Sequence, residues 1–194
     1  MKKIPTLFVR EFENGKITKV INVITPGCED ALLHGTALVK IDGACCAVID
    51  GVFYKRYDAK HGKTPPIGAI PCCEPDPVTG HHPHWIKVDA NNPADKWFSS
   101  AAACAIHYGK KPLSDGTYEA IGPHFQTNPY DIEEDILVKH EDSDQVEVER
   151  NFDAIREWLR QNYVEGIVFW LNGEPVCKIK RSDFGFSWKT NKCR

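Results

Sequence analysis

Apolar and polar residues alternate in short bursts along most of this chain, and only one stretch carries a clear helical stripe. Residues 4 to 10 and 17 to 24 interleave the two kinds of residue on either side of Asn14-Gly15, a hairpin-type turn, and predict two strands. Pro26-Gly27 breaks the run. Cys28 to Leu33 then reads as a short helix ended by Gly35, delivering the chain into the apolar run Ala37-Leu38-Val39. A second run, Ala44 to Ile49, follows, so two strand-like segments flank the charged tetrapeptide Lys40-Ile41-Asp42-Gly43. Residues 61 to 84, rich in Pro, Gly and His, predict a long surface excursion. Between Asp131 and Glu149 an acidic surround encloses Ile136-Leu137-Val138, a strand or a short helix. Asn151 to Tyr163 is the clear helix: Phe152, Ile155, Trp158 and Leu159 share one face and Arg156, Glu157 and Arg160 the other. That stripe should pack on the sheet carrying Glu165. Many short strands with few helices predict an α+β domain.

With 194 residues, the chain has room for one compact domain, including two lobes around a cleft. Hydrophobic residues at 42% and charged ones at 26% match ordinary soluble globular proteins. The first ten residues hold too short an apolar run for a signal peptide, and no later run approaches a membrane span, so a cytoplasmic protein without membrane partners is expected. Eight cysteines, two pairs of them adjacent (Cys45-Cys46 and Cys72-Cys73), read as reduced thiols in that setting. Zinc held by Cys72-Cys73 with His81, His82 and His84 is weighed against this. The absence of any Cys-x-x-Cys pair favours a polar loop with thiols that pack as small hydrophobes. A net charge of -3 excludes a uniformly basic coat. Lys55, Arg56, Lys60, Lys63, Lys178, Lys180, Arg181, Lys189, Lys192 and Arg194 nevertheless supply enough local positive charge to hold a phosphate backbone, in a salt-dependent way.

The unusual position is Lys40. A lysine that ends an apolar run two residues before an Asp-Gly turn is either a solvated residue at a hairpin or one that is paired or chemically employed. Further strand-like segments carrying one or two charges follow it: Tyr54-Lys55-Arg56-Tyr57-Asp58, Thr117 to Gly122 around Glu119, Glu165 to Phe169, and Lys178-Ile179-Lys180. Lys178 and Lys180 are two apart on a strand, so both project to one face and can converge on a phosphate. Glu119, flanked by Tyr118 and Ala120, is a costly place for a carboxylate unless it binds sugar hydroxyls, a metal or a cation. His81, His82, His84, Trp85 and His124 are weaker candidates for substrate contact.

Taken together, these strings resemble the ordered motifs of covalent nucleotidyltransferases, the superfamily of ATP-dependent ligases and capping enzymes. The closer resemblance is to the RNA ligase 1 family. It rests on Lys40-Ile-Asp-Gly-Ala-Cys-Cys46, Lys55 to Lys60, Thr117 to Pro123 leading into Thr127-Asn-Pro129, Glu165 to Phe169, and Lys178 to Gly185, and spans residues 30 to 188. The resemblance implies a nucleotidyltransferase fold of the ligase adenylation-domain, ATP-grasp-like kind, with mainly antiparallel sheets around a nucleotide cleft. It implies one minimal domain over residues 1 to 194, without an OB domain. Lys40 would be the nucleophile that takes AMP from ATP, with Lys178 and Lys180 at the α-phosphate. A free lysine, with a pKa of about 10.4, needs desolvation or nearby positive charge for this role. Asp42 and Gly43 would shape the turn, Val39 would meet adenine through its backbone, and Glu119 the ribose. Arg56, or Lys55 in its place, would contact ribose or the incoming phosphate. Glu165, with Glu119, would hold magnesium or manganese.

The implied activity is ATP-dependent joining of RNA 5′-phosphate and 3′-hydroxyl ends, as in RNA repair, with no obligatory protein partner. Two departures stand out: Leu38 and Val39 occupy places where relatives carry an acidic residue, and Ile136-Leu137-Val138 offers no aromatic ring to stack on adenine. The competing readings are a catalytically silent nucleotide- or RNA-binding module and a nucleotidyltransferase acting on DNA ends. The residues do not name the physiological RNA or an oligomeric state.

Overall fold

The computed structural model describes residues 3–13, 16–59, 63–76, 80–107 and 113–188. The Asn14-Gly15 turn and Lys60, Lys189, Lys192 and Arg194 lie outside them. In chain order the strands are β1 (Phe8–Glu13), β2 (Lys16–Ile24), β3 (Thr36–Lys40), β4 (Ala44–Ile49), β5 (Val52–Ala59), β6 (Ile70–Pro71), β7 (His82–Lys87), β8 (Gly116–Ile121), β9 (Ile136–Lys139), β10 (Gly166–Leu171) and β11 (Glu174–Lys180). The helices are α1 (Glu29–His34), α2 (Lys96–His107) and α3 (Phe152–Gln161). The architecture is mixed α+β, and every pairing between these strands is antiparallel. The chain divides into two compact units. One is Asp42–Asp142; the other joins the described residues of Lys3–Ile41 and Ser143–Arg194.

The unit that carries Lys40 is built on the sheet β11-β10-β3. Its strands alternate as their sequences do: Ile167 and Phe169 of β10 and Cys177 and Ile179 of β11 are fully buried, together with Leu7, Phe8, Ile155 and Leu159. Each large side chain so buried contributes about 2 kcal/mol. Both edges of the sheet are covered. Leu7 N donates to Lys178 O at 2.7 Å and Lys178 N to Pro5 O at 3.0 Å, while Val39 N donates to Asp144 O and Val146 N to Ala37 O. The first strand therefore does not run as a single piece from residue 4 to residue 10. Residues 5–7 pair with β11, and the chain then turns to β2, a change of partner that alternation cannot reveal. In α3 the Asn151 side chain caps the first turn by accepting from Ala154 N at 2.9 Å. The expected apolar stripe packs on β10 and β11.

The unit that carries Glu119 is a six-stranded sheet in the order β6-β7-β5-β4-β8-β9. Cys46, Val48, Tyr118, Ala120 and Leu137 line one face and pack with Ala101 of α2 and Phe125. The periodicity argument does not single out α2, although Asn92, whose side chain accepts from Ala94 N, and Pro93 form a helix-start signal just before it. Residues 61–84 are only partly a loop. Ile70–Pro71 and His82–Lys87 are paired strands, and His84 and Trp85 are buried within the sheet. The apolar stretch at 136–138 is strand β9. The strands on either side of Lys40-Ile41-Asp42-Gly43 do not pair with each other, since β3 joins β10 and β4 joins β5 and β8. The tetrapeptide is therefore not a hairpin.

Candidate functional site

Strand register sets the first group of residues. Gly166 stands opposite both Lys180 on β11 and Lys40 on β3, and Val168 opposite both Lys178 and Leu38. Alternation puts Lys40, Lys178 and Lys180 on the face away from the Ile167–Phe169 core. Lys40 and Lys180 are two strands apart, with backbones about 10 Å from each other. The position between them has no side chain. A Cβ on Gly166 would lie 2.2 Å from Ile179 O, so β10 and β11 approach closely only with glycine there. The Glu165 side chain reaches both lysines. Its Oε2 is 2.5 Å from Lys40 Nζ and its Oε1 3.9 Å from Lys180 Nζ. Lys40 Nζ also donates to Ile41 O at 3.2 Å.

Two amines thus meet one buried carboxylate, and Lys178 shares their face. Burial, and then the charges of Lys40 and Lys180, lower the Lys178 ammonium to about 8, with Glu165 opposing. Buried Asp183 fixes the end of β11: Oδ2 accepts from Lys180 N at 2.8 Å, and Oδ1 accepts from Arg10 Nη2 and Nε at 2.7 and 3.2 Å. Among the described residues this face carries more positive than negative charge, which suits a polyphosphate.

In the other unit Glu119, opposite Cys45 on β4, is 8% exposed and fully partnered. Its Oε1 accepts from Gly43 N at 3.1 Å, and its Oε2 lies 2.9 Å from His140 Nε2. The other ring nitrogen, Nδ1, is 2.9 Å from Thr117 Oγ1. Asp42 N donates to Tyr130 Oη at 2.6 Å and Gln126 Nε2 donates to Gly43 O at 2.9 Å, so three side chains grip the Asp42-Gly43 backbone. A Cβ on Gly43 would lie 2.2 Å from Ala120 O, which explains the glycine by close approach.

Arg56 lies on the Glu119 face of this sheet, whereas Lys55 points to the opposite face, where it is ion-paired with buried Asp95. Burial, aided by Glu119, pushes the Cys45 thiol up to about 12, so it is a neutral group and not a nucleophile. Sequence reasoning does not pick out His140, Gln126 or Tyr130. A signal for His140 existed: Tyr118 pairs with Lys139, and one further step of register sets His140 beside Thr117. Using it requires knowing that β8 and β9 are partners.

The remaining candidates are more dispersed. The Val39 N–H is committed to Asp144, and Val138, opposite Glu119, is aliphatic. His84 Nδ1 is bound to His82 O, and His81 pairs with Asp58 at 2.9 Å. Lys63 is exposed. Among the described residues no three His, Cys, Asp or Glu side chains gather into a metal cage, Cys72, Cys73 and the histidines of β7 included. Their seven cysteines are free thiols. Glu165 presents carboxylate oxygens at the lysine cluster, while both Glu119 oxygens are in use. No family model matches the chain, and no curated protein matches it.

Proposed function

We propose that the chain is an ATP-dependent RNA ligase of nucleotidyltransferase fold, acting through Lys40. The observation that carries this reading is the gathering of Lys40, Lys178 and Lys180 on one sheet face, with Glu165 reaching Lys40 and Lys180, at positions matching the motif order of RNA ligase 1 proteins. RNA, as substrate, comes from that resemblance.

In the first step Lys40 Nζ attacks the α-phosphorus of ATP. The N–P bond forms, the bond to the bridging oxygen breaks, and pyrophosphate leaves. The protons shed by the ammonium pass to the carboxylate of Glu165, 2.5 Å away, and on to solvent. Lys178 and Lys180 hold the phosphates. AMP then passes to the 5′-phosphate of RNA: a phosphoanhydride forms, the N–P bond breaks, and Lys40 leaves as an amine that takes its proton back from solvent. Finally the 3′-hydroxyl attacks that 5′-phosphate, a phosphodiester forms, AMP leaves and the hydroxyl proton goes to solvent. Glu165 is the residue that fits magnesium or manganese, since one hard carboxylate plus substrate phosphates makes an adequate oxygen set. Such an ion, when bound, would neutralise charge on the phosphates. Glu119 holds the turn after Lys40 through Gly43, and with Arg56 it would face the ribose.

The test is incubation with ATP labelled at the α-phosphate and magnesium, followed by denaturing electrophoresis, for the wild type and Lys40→Ala, with GTP in parallel. The expected result is a denaturation-resistant label with ATP that the variant lacks. An unlabelled wild type that still binds RNA would replace this reading with a silent binding module, and a GTP preference would remove the ligase assignment.

A further inference from the structure

The segment from Gly122 to Asp135 does more than join β8 to β9. Gln126, Asn128 and Asp131 all adopt left-handed backbone conformations, at φ of 52°, 46° and 53°. Ordinary residues rarely hold that conformation unless their surroundings impose it. The imposed shape presents His124. Buried Asp135 accepts from His124 N at 3.1 Å and lies 2.7 Å from its Nδ1, so one carboxylate fixes both the backbone and the ring plane. Against a carboxylate, Nδ1 carries a proton, which leaves Nε2 as the ring's second polar atom.

The ring is laid parallel to Trp97, at the start of α2. Their centroids are 3.2 Å apart and their planes differ by 9°. Lys96 Nζ lies 4.1 Å from the indole centroid. Both the imidazole and the ammonium thus lie against the same indole. The result is a column of cation, indole and imidazole. Trp97 is 36% exposed and the His124 side chain 39%, with one face of the imidazole turned to Trp97 and Nδ1 turned to Asp135.

We propose that this column is a stacking platform for an unpaired base of single-stranded RNA, which lies on the outer face of His124. The proposal rests on the RNA-ligase reading for the identity of the nucleic acid, and it specifies how the strand is held. Every base offers a π face, so a rigid ring with its plane already fixed accepts any base without reading sequence. Nε2 can hydrogen-bond a ribose hydroxyl, and Lys96 can meet a phosphate. The same loop holds Asp42 and Gly43 through Tyr130 and Gln126, so the base would rest on the element that positions the turn after Lys40.

The experiment is fluorescence anisotropy of a short labelled single-stranded RNA without ATP, at low salt, with the same sequence closed into a duplex as comparison. The proteins are the wild type, Trp97→Ala, His124→Ala and His124→Tyr, each checked by circular dichroism. Loss of a stacking partner should weaken single-strand binding about tenfold in both alanine variants. His124→Tyr should keep most of the affinity, and duplex binding, whose bases are already stacked, should change little. If an alanine variant does not fold, His124→Leu against His124→Tyr makes the same comparison between a side chain without a ring and one with it. Equal affinities for wild type and variants, no measurable wild-type binding, or equal losses on single strand and duplex would overturn the platform. A loss confined to ATP use would reassign it to adenine. Label on Lys40 in the wild type is scored separately: its absence removes the ligase reading, whereas the ring-dependent loss of RNA affinity stands or falls by itself.

Discussion

Replacing Lys178 by methionine should stabilise the protein at neutral pH while it weakens the proposed chemistry. The lysine lies on a crowded face of β11, where burial and then the charges of Lys40 and Lys180 take its ammonium from an ordinary 10.5 to about 8. The unfolded chain therefore keeps this proton up to pH 10.5, and the folded chain only up to about pH 8. The folded state bears the full penalty below pH 8 and is relieved of it as pH rises from about 8 to 10.5. That gap corresponds to about 3 kcal/mol at pH 7. Lys178 retains some contact with solvent, so methionine, which keeps the apolar stem, should recover about 1–2 kcal/mol of it. Urea unfolding followed by tryptophan fluorescence, repeated at several pH values from 7 to 10, reads the effect. The midpoint of the variant should exceed that of the wild type most at pH 7, and the two should converge toward pH 10. Equal midpoints at pH 7, or a gain that does not shrink as pH rises, would refute the account of a lysine charged against its surroundings. In the labelling assay the same variant should form less Lys40-AMP.

Three further substitutions probe other parts of the structure. His140→Ala removes the partner of Glu119 Oε2 and leaves a buried carboxylate oxygen unmatched. A loss of about 2–3 kcal/mol in urea unfolding is expected, and an unchanged midpoint would show that Glu119 does not depend on the histidine. Gly43→Ala sets a methyl group 2.2 Å from Ala120 O, against backbone that cannot turn aside. It should cost about 1–3 kcal/mol in the same measurement and abolish labelling of Lys40, and full retention of both would show that β4 and β8 have room to part. Arg181→Lys replaces a buried guanidinium that donates to the carbonyls of Leu159, Asn162 and Ser187. The ammonium cannot span all three, so thermal melting should show a loss of about 2 kcal/mol.

The elements that sequence made legible are those whose burial follows a simple period. The α3 stripe of Phe152, Ile155, Trp158 and Leu159, and the apolar runs 37–39 and 167–169, lie where alternation and helical spacing set them. The failures arise where pairing partners decide. Leu7 ends a segment that pairs with Lys178, and Phe8 begins one that pairs with β2, yet both are buried apolar residues in one continuous run. His82–Lys87 looks polar because it holds two histidines and a lysine, but His84 and Trp85 are buried by the neighbouring strands β5 and β6. For the site, the two-residue spacing of Lys178 and Lys180 put them on one face from sequence alone. That Lys40 joins them required the three-strand register through Gly166. His140 and Tyr130 were invisible because their partners, Glu119 Oε2 and Asp42 N, lie 21 and 88 residues away in sequence.

The two groups of polar residues differ in a way that bears on what each does. Both Glu119 oxygens have partners within the protein, Gly43 N on one and His140 Nε2 on the other, so the carboxylate ties the Gly43 backbone to β8. Among the described residues the lysine face holds more amines than the one carboxylate they approach: Glu165 meets Lys40 at 2.5 Å and Lys180 at 3.9 Å, and Lys178 is charged at a cost. Burying a lysine beside two others costs stability, and such local conflicts are commonest at functional sites. A polyanion that binds this lysine face should therefore stabilise the folded chain. Inorganic tripolyphosphate, which cannot adenylylate Lys40, isolates this effect from the chemistry. At one hundred times its dissociation constant it should add about 2.7 kcal/mol, visible as a raised melting temperature. The gain should be smaller in Lys178→Met and in Lys180→Met, and should weaken as salt rises. Equal gains in the wild type and both variants would mean that the anion binds elsewhere, and the charge imbalance on β3, β10 and β11 would then not be a phosphate site.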